Sequence, residues 1–197
     1  MVKRVMVDFD NTLVDFTRMF FKYIKDEFDI DIDKNENRDY DLSVILKEKG
    51  LDDEIIRKIF DKLWKERNFY QKYLEFLDTY TKTLTIIKRL KEKGYVPILI
   101  TKVPSLEMAI SKIKFFRSWK YKNLFDDIRT EIVADKNIVK STKDTDYNII
   151  IDDSPYIVEN YCKNNEKGIV YMPVTSYNSF LLSKYPNQIR GIKNENC

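Results

Sequence analysis

Three stretches of this chain are apolar without alternation: Val5-Met6-Val7, Val96-Pro97-Ile98-Leu99-Ile100 and Ile149-Ile150-Ile151. A strand with one wet face alternates apolar and polar residues, whereas a strand covered on both faces reads as a continuous apolar run. Segments with apolar residues at helical spacing separate the three runs. Strands of that kind, alternating with helices, belong to a parallel, doubly wound sheet, so the predicted fold class is α/β. Parallel strands bring all their carboxyl ends to one edge, and the crevice outside that edge is where such sheets bind ligands.

The first run delivers two carboxylates two positions apart, Asp8 and Asp10, followed by the turn-forming pair Asn11-Thr12. Two acids crowded at a strand end repel unless a cation or a shared proton relieves them. Phe16, Met19, Phe20, Tyr23 and Ile24 then predict a helix to about Phe28. Residues 29–41 are strongly polar and read as a loop; they lack the glycine and closing glutamate of a calcium-binding loop. Asp52 is a candidate N-cap, with Leu51 placed for a hydrophobic staple. Ile55, Ile59 and Leu63 form one stripe of the helix that follows, with Ile56, Phe60 and Trp64 beside it. Asn68-Phe69-Tyr70 breaks the pattern. A further helix from Thr83, carrying Leu84, Ile87 and Leu90, stops at Gly94. An all-helical segment of this length exceeds what a crossover needs. Residues 15–83 are therefore expected to be an inserted helical cap, and residues 1–14 and 84–197 the α/β core.

The second strand is expected to end at Thr101-Lys102. A helix from Ser105 follows, with Glu107 in its first turn and Leu106, Ala109, Ile110 and Ile113 as its core face. Glu131 to Ala134 reads as a third strand before Asp135-Lys136. The fourth, Asn148 to Ile151, ends at Asp152-Asp153-Ser154-Pro155. A short helix with Ile157, Val158 and Tyr161 inward precedes a last strand at 168–171. The tail, 175–197, has little regular pattern.

Composition excludes several classes of function. The chain has 197 residues, enough for one domain carrying an insertion, and its 35 basic and 32 acidic residues leave a formal charge of +3. That balance is unlike the basic footprint of a duplex-binding protein, and no stable nucleic-acid complex is expected. Cys162 and Cys197 form neither a disulfide framework nor a metal spacing. No apolar run is long enough to span a membrane, so no membrane partner is expected and a cytoplasmic location is. There is no histidine. Histidine triads and relays are thereby excluded, and any metal should be a hard ion held by oxygen.

The chemistry-bearing residues share one edge: Asp8 and Asp10 after strand one, Thr101 after strand two, Lys136 after strand three, Asp152 and Asp153 after strand four. Asp8 is a candidate nucleophile toward phosphorus, and Asp10 a candidate acid–base. The Thr101 hydroxyl and the Lys102 N–H suit phosphoryl oxygens, and Lys136 offers positive charge, with Lys140 and Lys143 as alternatives. Asp152 and Asp153, with Asp8 and Asp10, suit Mg²⁺. Taken singly, Thr101 is an ordinary helix cap and Asp152-Asp153 an ordinary turn; their joint placement argues for a site.

Asp8-Phe-Asp-Asn-Thr12-Leu, Leu-Ile-Thr101 and Ile-Ile-Asp152-Asp153 resemble the first, second and fourth motifs of the haloacid dehalogenase-like phosphohydrolases. The resemblance implies an aspartyl-phosphate mechanism. It also implies a Mg²⁺ ion bound by the Asp8 side chain, the Asp10 carbonyl and Asp153, with Asp152 in support. Within that superfamily the chain looks most like the 5′(3′)-deoxyribonucleotidases, through residues 38–42, Asn68-Phe69-Tyr70, Asp135 to Val139 and Tyr177-Asn178. This implies hydrolysis of nucleoside monophosphates, with Phe16, Phe69 and Tyr70 lining a nucleoside pocket. Lys136 departs from the family pattern by lying farther from Asp152. Alternative readings are another small phosphate ester, a nucleic-acid 3′-phosphate, or a binding module without activity. A homodimer is compatible with all of them.

Overall fold

Six parallel strands form a single sheet in the order β3-β2-β1-β4-β5-β6 in the computed structural model, which describes residues 2–33, 39–132 and 147–193. The strands are β1 (Arg4–Val7), β2 (Val96–Val103), β3 (Asp127–Ile132), β4 (Tyr147–Ile151), β5 (Ile169–Pro173) and β6 (Ile189–Ile192). The apolar runs account for the middle of the sheet. β1 lies between β2 and β4, pairing Val7 with Leu99 on one side and with Ile151 on the other. The strand order reverses at β1 and β4, which makes the edge beyond them the topological switch point.

Alternate residues serve the two faces. Val5, Val7, Leu99 and Ile149 face one apolar cluster; Met6, Ile98, Ile100 and Ile150 face the other. The first face is covered by α1 (Phe16–Phe28), α3 (Asp53–Trp64), α5 (Thr81–Glu92) and α6 (Leu106–Ser118), with the shorter α2 (Leu42–Glu48) and α4 (Phe69–Lys72) among them. The second is covered by α7 (Pro155–Asn164) and α8 (Phe180–Lys184). Apolar residues of the helical segment, among them Ile45, Ile59, Leu63 and Phe69, belong to the same continuous cluster as Val5 and Val7. Among the described residues no helix is long and apolar enough to cross a membrane.

Local signals explain most boundaries. Asp52 caps α3 by accepting from the Ile55 N–H at 2.8 Å, and Ser105 caps α6 by accepting from the Met108 N–H at 3.1 Å. Gly94 has φ +80°, the left-handed geometry expected just past a helix end.

Four expectations are corrected. β2 continues through Thr101 and Lys102 to Val103, because β3 pairs with it as far as Ile132. β3 starts at Asp127 rather than Glu131. It is an edge strand whose alternation of charged and apolar residues hides it from a search for apolar runs. The tail contributes α8 and a sixth strand: Ile189-Arg-Gly-Ile192 carries almost no strand signal and is held by its ladder to β5, Val170 against Ile189 through Pro173 against Ile192. Finally, residues 42–48, just past the expected polar loop and assigned to no element, form α2; Asp41 starts it by accepting from the Ser43 N–H at 3.0 Å.

Candidate active site

The loop leaving β1 is wound tightly around one carbonyl. The Phe9 C=O accepts from the N–H groups of Thr12, Leu13 and Val14 at 3.3, 2.9 and 3.3 Å. Asn11 takes a left-handed φ of 54°, a geometry asparagine tolerates better than most residues. Its side-chain oxygen accepts from both the N–H and the hydroxyl of Thr17 at 3.1 Å, tying the loop to the start of α1. Phe9 itself is fully buried against Phe116 and Trp119. An apolar anchor between Asp8 and Asp10 thus sends the two carboxylates to different neighbours.

Asp8 faces β4. Its N–H donates to the Ile151 carbonyl at 2.9 Å, and carboxylate oxygens of Asp8, Asp152 and Asp153 lie within 4.8 Å of one another. Hydrogen bonds hold this cluster from behind. The Thr12 hydroxyl donates to Asp153 Oδ1 at 2.9 Å, and Thr12 Oγ1 accepts from the Asp153 N–H at 3.1 Å. Tyr177 donates its hydroxyl to Asp153 Oδ2 at 2.6 Å. The Asn178 amide donates to the carbonyls of Asp153 and Pro173 at 2.9 Å each. Asp152 accepts from the Ser154 N–H at 2.9 Å. Burial, followed by the charges of Asp8 and Asp152, pushes the Asp153 carboxyl well above the ordinary carboxylate range. Three converging carboxylates with hard oxygen donors fit a divalent ion such as Mg²⁺, whose charge would offset that repulsion.

Asp10 faces β2 and the helices. It accepts from the Tyr70 hydroxyl at 2.5 Å and from the Lys112 ammonium. Lys112 also donates to Thr101 Oγ1 and, at 3.4 Å, to the Lys102 carbonyl. Its side chain is 1 % exposed, against 27 % for that of Asp10. Burial pushes the Asp10 carboxyl upward; Lys112 pulls it down, and Asp8 adds a further push up.

Lys112 is the residue that the sequence reading missed. The expected core face of α6 holds only at Ala109, which is buried: Leu106 and Ile113 are exposed, and Met108, Lys112, Phe115 and Phe116 are buried instead. Leu99, Thr101 and Val103 share one face of β2, and α6 packs on that face. A lysine in the middle of the apolar stripe of Met108, Phe115 and Phe116 is the signal that could have found it. Lys136, with Lys140 and Lys143, lies outside the described residues.

The expected aromatic pocket is placed differently by the structure. Phe69 and Tyr70 have no exposed surface. Phe69 packs edge-on against Tyr23 and Tyr70, and Tyr70 sends its hydroxyl to Asp10. Phe16, half-buried, lies 5.8 Å from the Phe69 ring and 6.4 Å from that of Tyr70.

The fold has a counterpart among solved structures. A candidate phosphatase from Clostridium difficile superposes with a TM-score of 0.66 over 99% of this chain and 95% of that one, at 17% identity. The likeness is one of fold. A candidate haloacid dehalogenase-like hydrolase from Bacteroides fragilis matches more loosely, with a TM-score of 0.46 at 15% identity over 89% of this chain and 80% of that one. No family model matches the chain, and no curated protein is significantly similar to it. The doubly wound parallel α/β fold expected from the sequence is the fold found.

Proposed function

We propose that this protein is a Mg²⁺-dependent phosphomonoesterase that hydrolyses (deoxy)ribonucleoside monophosphates through a phosphorylated Asp8. The observation that carries the reading is the division of labour at the switch point. Carboxylate oxygens of Asp8, Asp152 and Asp153 cluster within 4.8 Å of one another, and Asp10 stands beside a buried lysine. Side chains of Asp8, Asp153 and Asp152, with the Asp10 carbonyl, would hold the metal, which when bound supplies charge neutralisation for the phosphoryl group.

The residues then divide the reaction between them. A carboxylate oxygen of Asp8 attacks phosphorus, the bond from phosphorus to the ester oxygen breaks, and Asp10 gives its proton to that oxygen. A carboxyl held above its ordinary range, as Asp10 is, suits an acid. In the second half Asp10 takes a proton from water, whose oxygen attacks the phosphoryl group and releases Asp8. Thr101 Oγ1 accepts from Lys112, so its own proton is available to a phosphoryl oxygen. Lys112, supplied by α6, provides the fixed positive charge on this side. The helical segment 15–83 serves as the cap, since Tyr70 brings it directly onto Asp10. The partner is a small phosphate ester rather than a polymer.

Purified protein assayed with Mg²⁺ against nucleoside monophosphates and sugar phosphates tests the reading. Phosphate release from a nucleotide is expected, with a loss of roughly 10⁴-fold or more in Asp8→Asn. Turnover of other esters with none from any nucleotide would remove the substrate class. Turnover retained in Asp8→Asn would remove the mechanism.

A further inference from the structure

Three tyrosines from separate parts of the chain meet beside the carboxylate cluster. Tyr40 precedes α2, Tyr156 is in the first turn of α7, and Tyr177 precedes α8. The Tyr40 ring lies 5.9 Å from that of Tyr156 and 5.7 Å from that of Tyr177, each tilted by 68°. The group is joined to the site through Tyr177, which donates its hydroxyl to Asp153 Oδ2 at 2.6 Å. Away from the acids the rings open to solvent: Tyr156 is 72 % exposed and Tyr40 is 40 % exposed. Phe69 and Tyr70, by contrast, offer no exposed face.

We infer that Tyr40 and Tyr156, with Tyr177 beneath them, form the binding surface for the base of a nucleoside monophosphate whose phosphorus is at Asp8. The inference rests on the phosphatase reading above and specifies which residues meet the leaving group. Its physical basis is continuity and chemistry. A nucleotide carries a flat π system one sugar away from its phosphorus, and this aromatic surface begins at the residues flanking the carboxylates. Every base presents a π face, and stacking on an exposed tyrosine needs no particular hydrogen-bond pattern. A small aliphatic ester has nothing to place against these rings. Tyr40 comes from the helical segment, whereas Tyr156 and Tyr177 come from the α/β part, so the base would be held between the two.

The test compares kcat/KM for a nucleoside monophosphate and for glycerol phosphate in wild type, Tyr156→Ala, Tyr40→Ala and Tyr156→Phe. Wild type should prefer the nucleotide. Each alanine variant should lower that preference about tenfold, chiefly through KM, and Tyr156→Phe should retain it. A role in folding alone would depress both esters equally, and that result overturns the inference. So does a wild type that turns over both esters without preferring the nucleotide, an outcome that leaves the phosphatase reading standing. Absence of turnover with every ester removes the phosphatase reading and the base surface with it.

Discussion

The two sides of β1 hold carboxylates in opposite ways. On the β2 side Asp10 meets a buried ammonium, a tyrosine hydroxyl and, through Lys112, Thr101. Toward β4, carboxylate oxygens of Asp8, Asp152 and Asp153 meet one another, and Asp153 accepts from the hydroxyls of Thr12 and Tyr177. One half of the site carries a buried lysine against its acid; the other gathers three acids that offer oxygen ligands to a metal ion. On the proposed reading, charge balance, more than the presence of acids, separates the group that exchanges protons from the group that holds metal.

Removing the cation from the lysine-bearing half should break the comparison most severely. Lys112→Met leaves Asp10 partly buried without its ion-pair partner, a change that typically costs about 3 kcal/mol. Urea unfolding should show that loss, and turnover should fall roughly a hundredfold. Lys112→Arg should not restore either, because a planar guanidinium cannot take the place of a compact ammonium between Asp10 and Thr101. Full stability in Lys112→Met would mean that the pair is incidental.

Adding Mg²⁺ should affect the other half almost as much. Mg²⁺ at about a hundred times its dissociation constant stabilises the folded state by roughly 2.7 kcal/mol. The pH dependence has a definite sign. Asp153 and Asp10 both hold their protons more tightly in the folded chain than an ordinary aspartate does. Between the unfolded and folded values the folded state therefore binds more protons, and stability falls as pH rises through the raised values. In chelator the melting temperature should fall as pH rises above the ordinary carboxylate range. With Mg²⁺ the drop should flatten, since an ion in the Asp8–Asp152–Asp153 cluster replaces the proton. A melting temperature that rises with pH in chelator would contradict the assignment.

The smallest effect sharpens the comparison. Tyr177→Phe removes one hydroxyl from Asp153 while keeping the ring's edge contact with Tyr40. About 1 kcal/mol of stability should go with it. The Mg²⁺ concentration for half-maximal activity should rise roughly tenfold, as expected when a metal ligand loses its outer hydrogen bond. A change in KM for the ester with no change in Mg²⁺ requirement would move Tyr177 from the metal side to the substrate side.

Legibility in the sequence followed burial. β1, β2 and β4 are covered on both faces, so their residues are apolar throughout and the strands can be read directly. β3 and β6 are edges, each paired on one side only, and their sequences are correspondingly mixed. The helix caps at Asp52 and Ser105 are local hydrogen bonds and were equally readable. The face of α6 was not. Two apolar stripes compete on that helix, one through Leu106, Ala109, Ile110 and Ile113, the other through Met108, Phe115 and Phe116. Which one turns inward depends on the helix's packing against β2 and α4.

By itself, then, the sequence determined the α/β class and the gathering of Asp8, Asp10, Thr101, Asp152 and Asp153 at one edge. Parallel strands leave their carboxyl ends nowhere else to go. Only the tertiary structure decided that Lys112 meets Asp10, that Tyr70 contributes a hydroxyl rather than an open ring, and that Tyr40, Tyr156 and Tyr177 meet beside Asp153. Those contacts join residues as far as 137 positions apart in the chain, between Tyr40 and Tyr177 (177 − 40 = 137). Periodicity reports which neighbours along one element share a face; it carries no information on which distant element will cover that face.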